Sequence, residues 1–282
     1  NKNIKVHRVL INLQEYEIFL NYFKNKNIDF VYHAAAYKHV GIVEENYVSG
    51  FSNNIIITEN VLKFINLRKV KNFVLISSDK SVRPTNLMGA SKRICELLTY
   101  KYRFYNKSNS NFSIVRFGNV INSTGSVIPI FREQIENNKP LTITHKDVTR
   151  YFMSIPQAVN LVLHSSIISS DLKIYLLDMG EPIKILELAK KILKINGIID
   201  EQRRIKFIGL GKGEKIEEEL YKDFEFKKTS NNQINESLEI SPKINEINIL
   251  YKNILLSLKN HNLTKLKSVL KDKMVSYEEK NY

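Results

Sequence analysis

One cysteine, Cys95, is all the thiol chemistry this 282-residue chain has. A single thiol closes no disulfide within a chain and completes no cysteine-based zinc site. Cys95 lies in the apolar helical stretch RICELLTY and reads as structural. No run approaches the roughly 18–20 apolar residues of a membrane span, and the opening NKNIKVHRVL lacks a signal-peptide pattern. A cytoplasmic compartment is therefore expected. Acidic residues are in deficit, 29 against 43 Lys and Arg, for a net charge of +14. The basic residues are spread along the chain, with no compact Arg-rich or aromatic-interleaved patch, which argues for a solvated surface and against a nucleic-acid partner. The same charge favours an anionic ligand such as a nucleotide diphosphate.

What is present suffices for a full core, since 43% of the residues are hydrophobic. One large domain or two intimate ones are expected. Short β-branched runs alternate with helical patterns, the signature of a parallel sheet flanked by helices. KVHRVLIN predicts a strand, EYEIFLNYFKNKN a helix, IDFVYHAAA a strand, NNIIITENVLKFINLRKV a helix and KNFVLISS a buried strand. NLMGASKRICELLTYKYRFYN then predicts a helix and NFSIVRFGNV a strand. After Val120 the rhythm breaks, and INSTGSVIPIFREQIENNKPLTIT predicts a substrate lobe on the sheet's C-terminal side. IPQAVNLVLHSSI (helix), KIYLLDMG (strand), ILELAKKILKING (helix) and RIKFIG (strand) follow. The polar stretch from Phe224 to Ser241 predicts a mobile loop, and the Lys-rich tail from Ile244 a helix.

The stretch SSDKSVRPTNLMGASKR, Ser77 to Arg93, concentrates the chemistry. Asp79 and Lys80 directly follow a predicted buried strand, at the edge where open α/β sheets place ligands. An adjacent acid and cation tune each other for proton transfer, although the same spacing also fits a solvent-facing charged turn. Lys92 follows Met88 by four residues and shares its helix face. Met88 cannot transfer a proton, so it reads either as a core residue of a site without turnover or as part of a site that works without a phenol. His33 and His39 have no acidic or cysteine cluster around them and read as packing and hydrogen-bonding residues. No metal site is expected.

Taken in order, HAAAYKHV, LISSDKSVRPTNLMGASKR, VRFGNVINSTGSVIPIF, VTRYFMSIPQAV and LDMGEPIKILELA resemble the CapD-like polysaccharide-biosynthesis branch of the extended short-chain dehydrogenase/reductase family. Its UDP-N-acetylglucosamine 4,6-dehydratases are the nearest match. The resemblance implies a Rossmann-like doubly wound parallel sheet with a smaller C-terminal substrate lobe. It implies NAD or NADP as cofactor and a UDP-N-acetylhexosamine, chiefly UDP-N-acetylglucosamine, as substrate. The product would be a UDP-4-keto-6-deoxy sugar for surface glycans. Hydride leaves C4, water is lost across C5 and C6, and the hydride returns to C6. By the same resemblance Ser78, Asp79, Lys80, Met88 and Lys92 form the catalytic set. Large dehydratases of the branch carry Met at the position of Met88, with Asp79, Lys80 or a water relaying the C4 hydroxyl proton. Ala34, Ala35, Lys38, Ser77 and Lys92 match cofactor-binding positions. Lys38, Asn119, Ser123, Ser126, Val127, Arg150 and Lys212 match substrate-binding positions. For Arg150, an anionic anchor and a surface salt bridge weigh equally. Asn54 matches a structural asparagine.

Three departures from the family pattern stand out. GKGEK, Gly211 to Lys215, replaces an RPGEK step, so Lys212 substitutes a point charge for a planar Arg. Asn12 stands where an acidic residue usually meets the adenine. No G-x-x-G-x-x-G occurs among the ten glycines, and without it a pyrophosphate lacks its backbone N–H cradle. The chain therefore reads as a fragment, a split-gene product or a decayed relative. The expected division is residues 1–120 as a partial NAD(P)-binding domain, 121–223 as a nucleotide-sugar lobe with strands returning to the sheet, and 224–282 as polar loop and helical tail. A homo-oligomer, or pairing with a missing N-terminal segment, is the expected assembly. A non-catalytic UDP-sugar-binding or assembly protein is the alternative function. A 4-epimerase or reductase is disfavoured by Met88.

Overall fold

A computed structural model describes residues 4–105, 110–169, 171–198, 204–219, 226–239 and 242–280. In chain order the elements are α1 (Tyr16–Phe23), β1 (Phe30–His33), α2 (Val40–Glu45), α3 (Tyr47–Arg68), β2 (Asn72–Ile76), α4 (Leu87–Tyr105), β3 (Asn111–Arg116), β4 (Asn119–Val120), α5 (Val127–Glu136), β5 (Leu141–Ile143), β6 (Thr149–Arg150) and β7 (Phe152–Met153). They continue with α6 (Ile155–Ile168), β8 (Lys173–Leu177), β9 (Ile183–Lys184), α7 (Ile185–Ile195), β10 (Ile205–Phe207), β11 (Phe226–Lys228), β12 (Ile234–Ser237), α8 (Ile244–Lys259) and α9 (Leu263–Leu270).

The main sheet has the order β1-β2-β3-β8-β12-β11. β1, β2, β3 and β8 run parallel, with Val31 beside Phe73, Phe73 beside Phe112 and Ile114 beside Ile174. Side chains on a strand alternate between faces, and the apolar runs of these strands split accordingly. Phe73, Leu75, Phe112, Ile114, Ile174 and Leu176 enter the core built with α3, α4, α8 and α9. Val74, Val115, Tyr175 and Leu177 enter a second core under α6, with Ala158 and Leu161. Both faces are buried, which is why the strands read as continuous apolar runs rather than alternating ones. α6 starts where the sequence stops it from starting earlier: Ser154 Oγ accepts the Gln157 N–H at 3.3 Å, and Pro156 occupies the first turn. A third apolar cluster, Phe131, Leu141, Ile143, Val148, Ile185, Ala189 and Leu193, holds the lobe formed by α5, β5 and α7.

Two expectations are corrected. KVHRVLIN forms no strand; residues 4–12 run without regular structure, and Leu10 is fully exposed. β-branched residues favour a strand only where a neighbour accepts the backbone hydrogen bonds, and no described strand pairs with this segment. The polar stretch expected as a loop contains the β11–β12 hairpin, which pairs antiparallel onto β8. Its turn is organised by Thr229 and Asn231, which accept the N–H groups of Asn231 and Gln233 through their side chains. Ile234 anchors it in the second core. The outermost part of that stretch, residues 224–225 and 240–241, lies outside the described residues. The tail is helical, as α8 and α9, and α8 packs on α4 as part of the main core.

Candidate active site

β2 ends at Ile76, and the chain turns sharply at its C-terminal edge through Ser77–Ser81. Ser77 N–H still bonds Val115 O at 2.8 Å, so the turn grows directly from the sheet. Residues 79–81 form a single 3₁₀ turn, which brings Ser78, Asp79 and Lys80 within reach of one another. Asp79 Oδ1 accepts Ser78 Oγ at 2.8 Å, the Lys80 N–H at 2.8 Å and Lys80 Nζ at 3.0 Å. Asp79 Oδ2 is buried without a partner, 3.2 Å from where a Cβ on Gly118 would stand. One carboxylate oxygen is thus saturated and the other is open. The solvent-facing reading of the turn fails, because Asp79 is 1% exposed.

Lys80 Nζ also pairs with Glu218 Oε1 at 3.3 Å. Burial works against the Lys80 charge, but Asp79 and Glu218 outweigh it and raise the ammonium's pKa above the ordinary lysine value. Lys92 shows the opposite balance. It is buried, its Nζ donates to Ile76 O at 3.0 Å, and desolvation lowers its pKa. Two lysines twelve positions apart are therefore electrically distinct, one fixed as a cation and one closer to neutrality.

Glu96, which sequence reasoning missed, holds the turn from below. Its Oε1 accepts Ser77 Oγ at 2.6 Å and Ser81 Oγ at 2.8 Å, gripping both ends of the segment that carries Asp79 and Lys80. Arg116 donates to Glu96 through Nε at 2.8 Å and Nη2 at 2.7 Å, and also pairs with Glu239. Arg93 joins both carboxylates at 2.9 Å. Burial would raise the Glu96 pKa, but the guanidinium of Arg116 dominates the remaining causes and holds it at about 2. The available signal was positional: Glu96 follows Lys92 by four on α4, and Arg116 ends an otherwise apolar buried strand.

α4 meets the turn backbone to backbone. A Cβ at Gly89 would stand 2.1 Å from Lys80 O, so only glycine allows this approach. Asn54 ties the loop after β1 to the same helix, accepting Tyr37 N–H at 2.7 Å and donating to Tyr37 O and Ser91 Oγ. His33 bonds Thr58 Oγ1 at 2.9 Å, and burial with the nearby Lys92 charge lowers its pKa to about 3, so it is a neutral packing residue.

A cleft of about 440 Å³ opens over these elements. Of the residues singled out in the sequence, Ala34, Lys38, His39, Ser77, Ser78, Lys80, Met88, Lys92, Asn119, Ser123, Ser126 and Val127 line it. Asp79 lies beneath, turned toward Gly118. Ala35 is exposed and outside the wall, where Ala36 stands instead. The Ser77 side chain is committed to Glu96. Met88 is 4% exposed and presents an apolar surface beside Lys92. Ser126 precedes α5, caps nothing with its side chain, and leaves its buried Oγ unpartnered. Arg150 and Lys212 line a neighbouring cavity of about 480 Å³ that shares Val40 and Lys80 with the cleft. Arg150 is neither surface bridge nor open anchor: it is 8% exposed and bonded to Glu214 at 2.9 Å and to Ile216 O at 3.1 Å. Lys212 is exposed and 3.5 Å from Glu279. Asn12 shapes the turn ahead of α1, donating to Glu15 and accepting the Gln14 N–H.

The donor set fits one end of a nicotinamide cofactor. Lys92 and the small residues of the β1 loop sit at the ends of adjacent parallel strands, where such a ring and its ribose are held in open α/β sheets. No G-x-x-G-x-x-G for its pyrophosphate occurs in the 282 residues. Among the described residues no group of three His, Cys, Asp or Glu side chains is arranged to hold a metal, and no helix is long and apolar enough to cross a membrane.

Known proteins resemble this chain in sequence and in fold. The family model described as "Polysaccharide biosynthesis protein" matches residues 1–239. The probable polysaccharide biosynthesis protein EpsC of Bacillus subtilis is 44% identical over 219 residues, covering 78% of this chain and 36% of EpsC. The capsular polysaccharide biosynthesis protein CapD of Staphylococcus aureus is 47% identical over 190 residues, 67% of this chain and 32% of CapD. The chain thus spans about a third of the length of these relatives. Among solved structures, Pen from Bacillus thuringiensis aligns with a TM-score of 0.76 at 29% identity, covering 89% of this chain and 83% of Pen. DesIV, a dTDP-glucose 4,6-dehydratase from Streptomyces venezuelae with NAD and TYD bound, shares the fold at a TM-score of 0.64 and 16% identity, covering 74% and 69%. With a family model spanning most of its length and a cleft at the sheet edge where that fold places its ligands, the chain belongs to the polysaccharide-biosynthesis proteins of the CapD-like, Rossmann-fold short-chain dehydrogenase/reductase group.

Proposed function

We propose that this chain forms the catalytic core of a nucleotide-sugar 4,6-dehydratase acting on a UDP-N-acetylhexosamine, with UDP-N-acetylglucosamine the first candidate. The observation that carries the reading is the unpartnered Asp79 Oδ2, buried just beneath the cleft and beside a fixed Lys80 ammonium, with apolar Met88 in the lining of the same cleft. Eliminating water from a sugar requires a group that exchanges a proton with the departing hydroxyl and a charge that steadies the enolate-like intermediate. As a carboxylate, Asp79 Oδ2 takes the C5 proton and passes it to the C6 hydroxyl, which leaves as water, while the Lys80 ammonium steadies the intervening negative charge. Ser78 Oγ, bonded to Asp79, is positioned to exchange a hydrogen bond with the sugar hydroxyls. Lys92 and Ala34 would hold NAD or NADP, which when bound supplies the hydride acceptor for the sugar C4 position. Asn119 and the unpartnered Ser126 Oγ offer donors to the uridine diphosphate.

The test is incubation with UDP-N-acetylglucosamine and NAD or NADP, both for the chain alone and for a chimera carrying a Gly-rich strand-turn-helix at its N-terminus. Mass spectrometry should show a nucleotide sugar lighter by one water, with no net change in nicotinamide absorbance. Unchanged substrate in the chimera at high protein concentration overturns the reading. A second reading is UDP-sugar binding without turnover, which the apolar Met88 in the cleft lining, unable to transfer a proton, also fits. Calorimetric binding of UDP-N-acetylglucosamine with no product would select it.

A further inference from the structure

The segment Glu214–Glu219, EKIEEE, crosses the turn from the far side and is stitched down along its length. Glu214 accepts Arg150 Nη2 and Thr144 Oγ1, each at 2.9 Å. Lys215 Nζ donates to Val82 O at 3.1 Å, Ile216 O accepts Thr149 N–H at 3.0 Å, and Glu219 accepts Arg83 Nε at 2.9 Å. Glu217 faces solvent, whereas Glu218 points inward and is 8% exposed. A carboxylate buried this deeply is costly unless paired, and its counter-charge is Lys80. Arg150 Nε lies 4.0 Å away on the other side. Nothing in the spacing of Ser77 to Arg93 points to a partner 138 positions downstream.

We propose that Glu218 is the positioning residue for Lys80: it shares the ammonium with Asp79, fixing Lys80 as a cation while leaving Asp79 Oδ2 unpartnered beneath the cleft, against Gly118. The groups around Lys80 Nζ are Asp79 on its own turn, Glu218 on the crossing segment and Arg150 on β6, while Glu44 and Glu45 of α2, Glu214 and Lys212 line the same cavity. Two carboxylates against one nearby guanidinium leave the balance on the side of the charged amine. Removing the Glu218 charge leaves Asp79 to neutralise the ammonium alone and makes the neutral amine more accessible. The consequence for turnover rests on the dehydratase reading; the consequence for Lys80 does not.

The experiment is competitive acetylation of the 282-residue chain with acetic anhydride at mildly alkaline pH, quantified by peptide mass spectrometry against exposed Lys206. In Glu218→Gln, which keeps the shape and loses the charge, Lys80 labelling should rise about tenfold or more, as expected from losing one opposite charge within hydrogen-bond range. Glu218→Asp, which keeps the charge, should label as slowly as the wild type. Buried Lys215 reports on whether the segment has come loose, and its labelling should not change. Unchanged Lys80 labelling in Glu218→Gln overturns the proposal. So does a parallel rise at Lys215, or fast Lys80 labelling in Glu218→Asp, since either makes the effect one of packing. Where the chimera turns over, Glu218→Gln should lower kcat with little change in KM. Absence of turnover in the wild type bears on the dehydratase reading and leaves the labelling result standing.

Discussion

The Ser77–Ser81 turn and the Asn122–Val127 loop both contribute to the walls of one cleft and are built in opposite ways. In the turn, almost every polar atom is committed: Ser77 and Ser81 to Glu96, Ser78 to Asp79, Lys80 to two carboxylates. In the loop, Asn122 and Gly125 adopt left-handed backbone angles, and Ser126 Oγ is buried without a partner. A reacting group must be aimed before the substrate arrives, because a misaimed proton donor is useless. A binding loop gains by keeping donors uncommitted until a ligand oxygen satisfies them. On the proposed function, reaction geometry is stored in one wall and ligand affinity in the other.

The largest expected effect breaks the committed wall at its chemical end. In the chimera that supports turnover, Lys80→Ala and Asp79→Asn should each lower product formation by roughly 10²–10⁴-fold. Met88→Leu, a volume-conserving swap, should cost less than about 1.5 kcal/mol of stability and retain substantial activity. Comparable loss in all three would mean that Met88 does more than fill space.

Next in size is Arg116→Met, which strands Glu96 in the core. Breaking one partner of such a buried cluster costs about 3–5 kcal/mol, read as a lower urea midpoint. The loss should come without a change in the position of α5, seen as unaltered proteolysis of the loop. pH gives a related test of the same wall. The folded-state pKa of Glu96 is about 2 against an ordinary value of 4.5, and that of His33 about 3 against 6.5. Both are depressed, so the unfolded chain takes protons first as pH falls. Their contribution is complete above about pH 6.5 and declines toward pH 2–3. His33→Gln should flatten the upper part of that decline in urea titrations.

The smallest effect sharpens the contrast. Ser81→Ala removes a hydrogen bond to a charged carboxylate and should cost about 1.5–3 kcal/mol. Ser126→Ala removes a hydroxyl that bonds nothing in the free protein, so stability should stay within about 0.5 kcal/mol. UDP-N-acetylglucosamine affinity should nonetheless fall. Equal destabilisation by the two would erase the distinction between the walls.

How much of this was readable beforehand follows the same division. Asp79, Lys80, Met88 and Lys92 lie within one contiguous stretch, so strand, turn and helix periodicity place them together. The parallel strands β1, β2, β3 and β8 were legible because runs such as NFVLI and FSIVR are mostly apolar on both faces, although their order in the sheet was not. Glu96, Arg116, Glu239 and Glu218 were not, because charge pairs across 20, 123 and 138 positions leave no local pattern. KVHRVLIN misled because a strand's existence depends on a neighbour, a property no eight residues contain. The β11–β12 hairpin was hidden for a related reason: its turn is polar, and among the described residues just Phe226 and Ile234 carry the stretch to the two cores.

The contact between Gly89 and Lys80 O sets the angular phase of the site. Because the first turn of α4 is seated against that carbonyl, the bearing of Lys92 around the helix axis is set by residue count from the turn. One inserted residue between Gly89 and Lys92 would swing the lysine by about 100°, off Ile76 O and out of the cleft, while every core residue upstream stayed in place. Four inserted residues would return it to nearly the same bearing, about 6 Å further along the axis. The site is thus gauged like a thread, tolerant of which side chains fill the core and intolerant of the count between two backbone contacts.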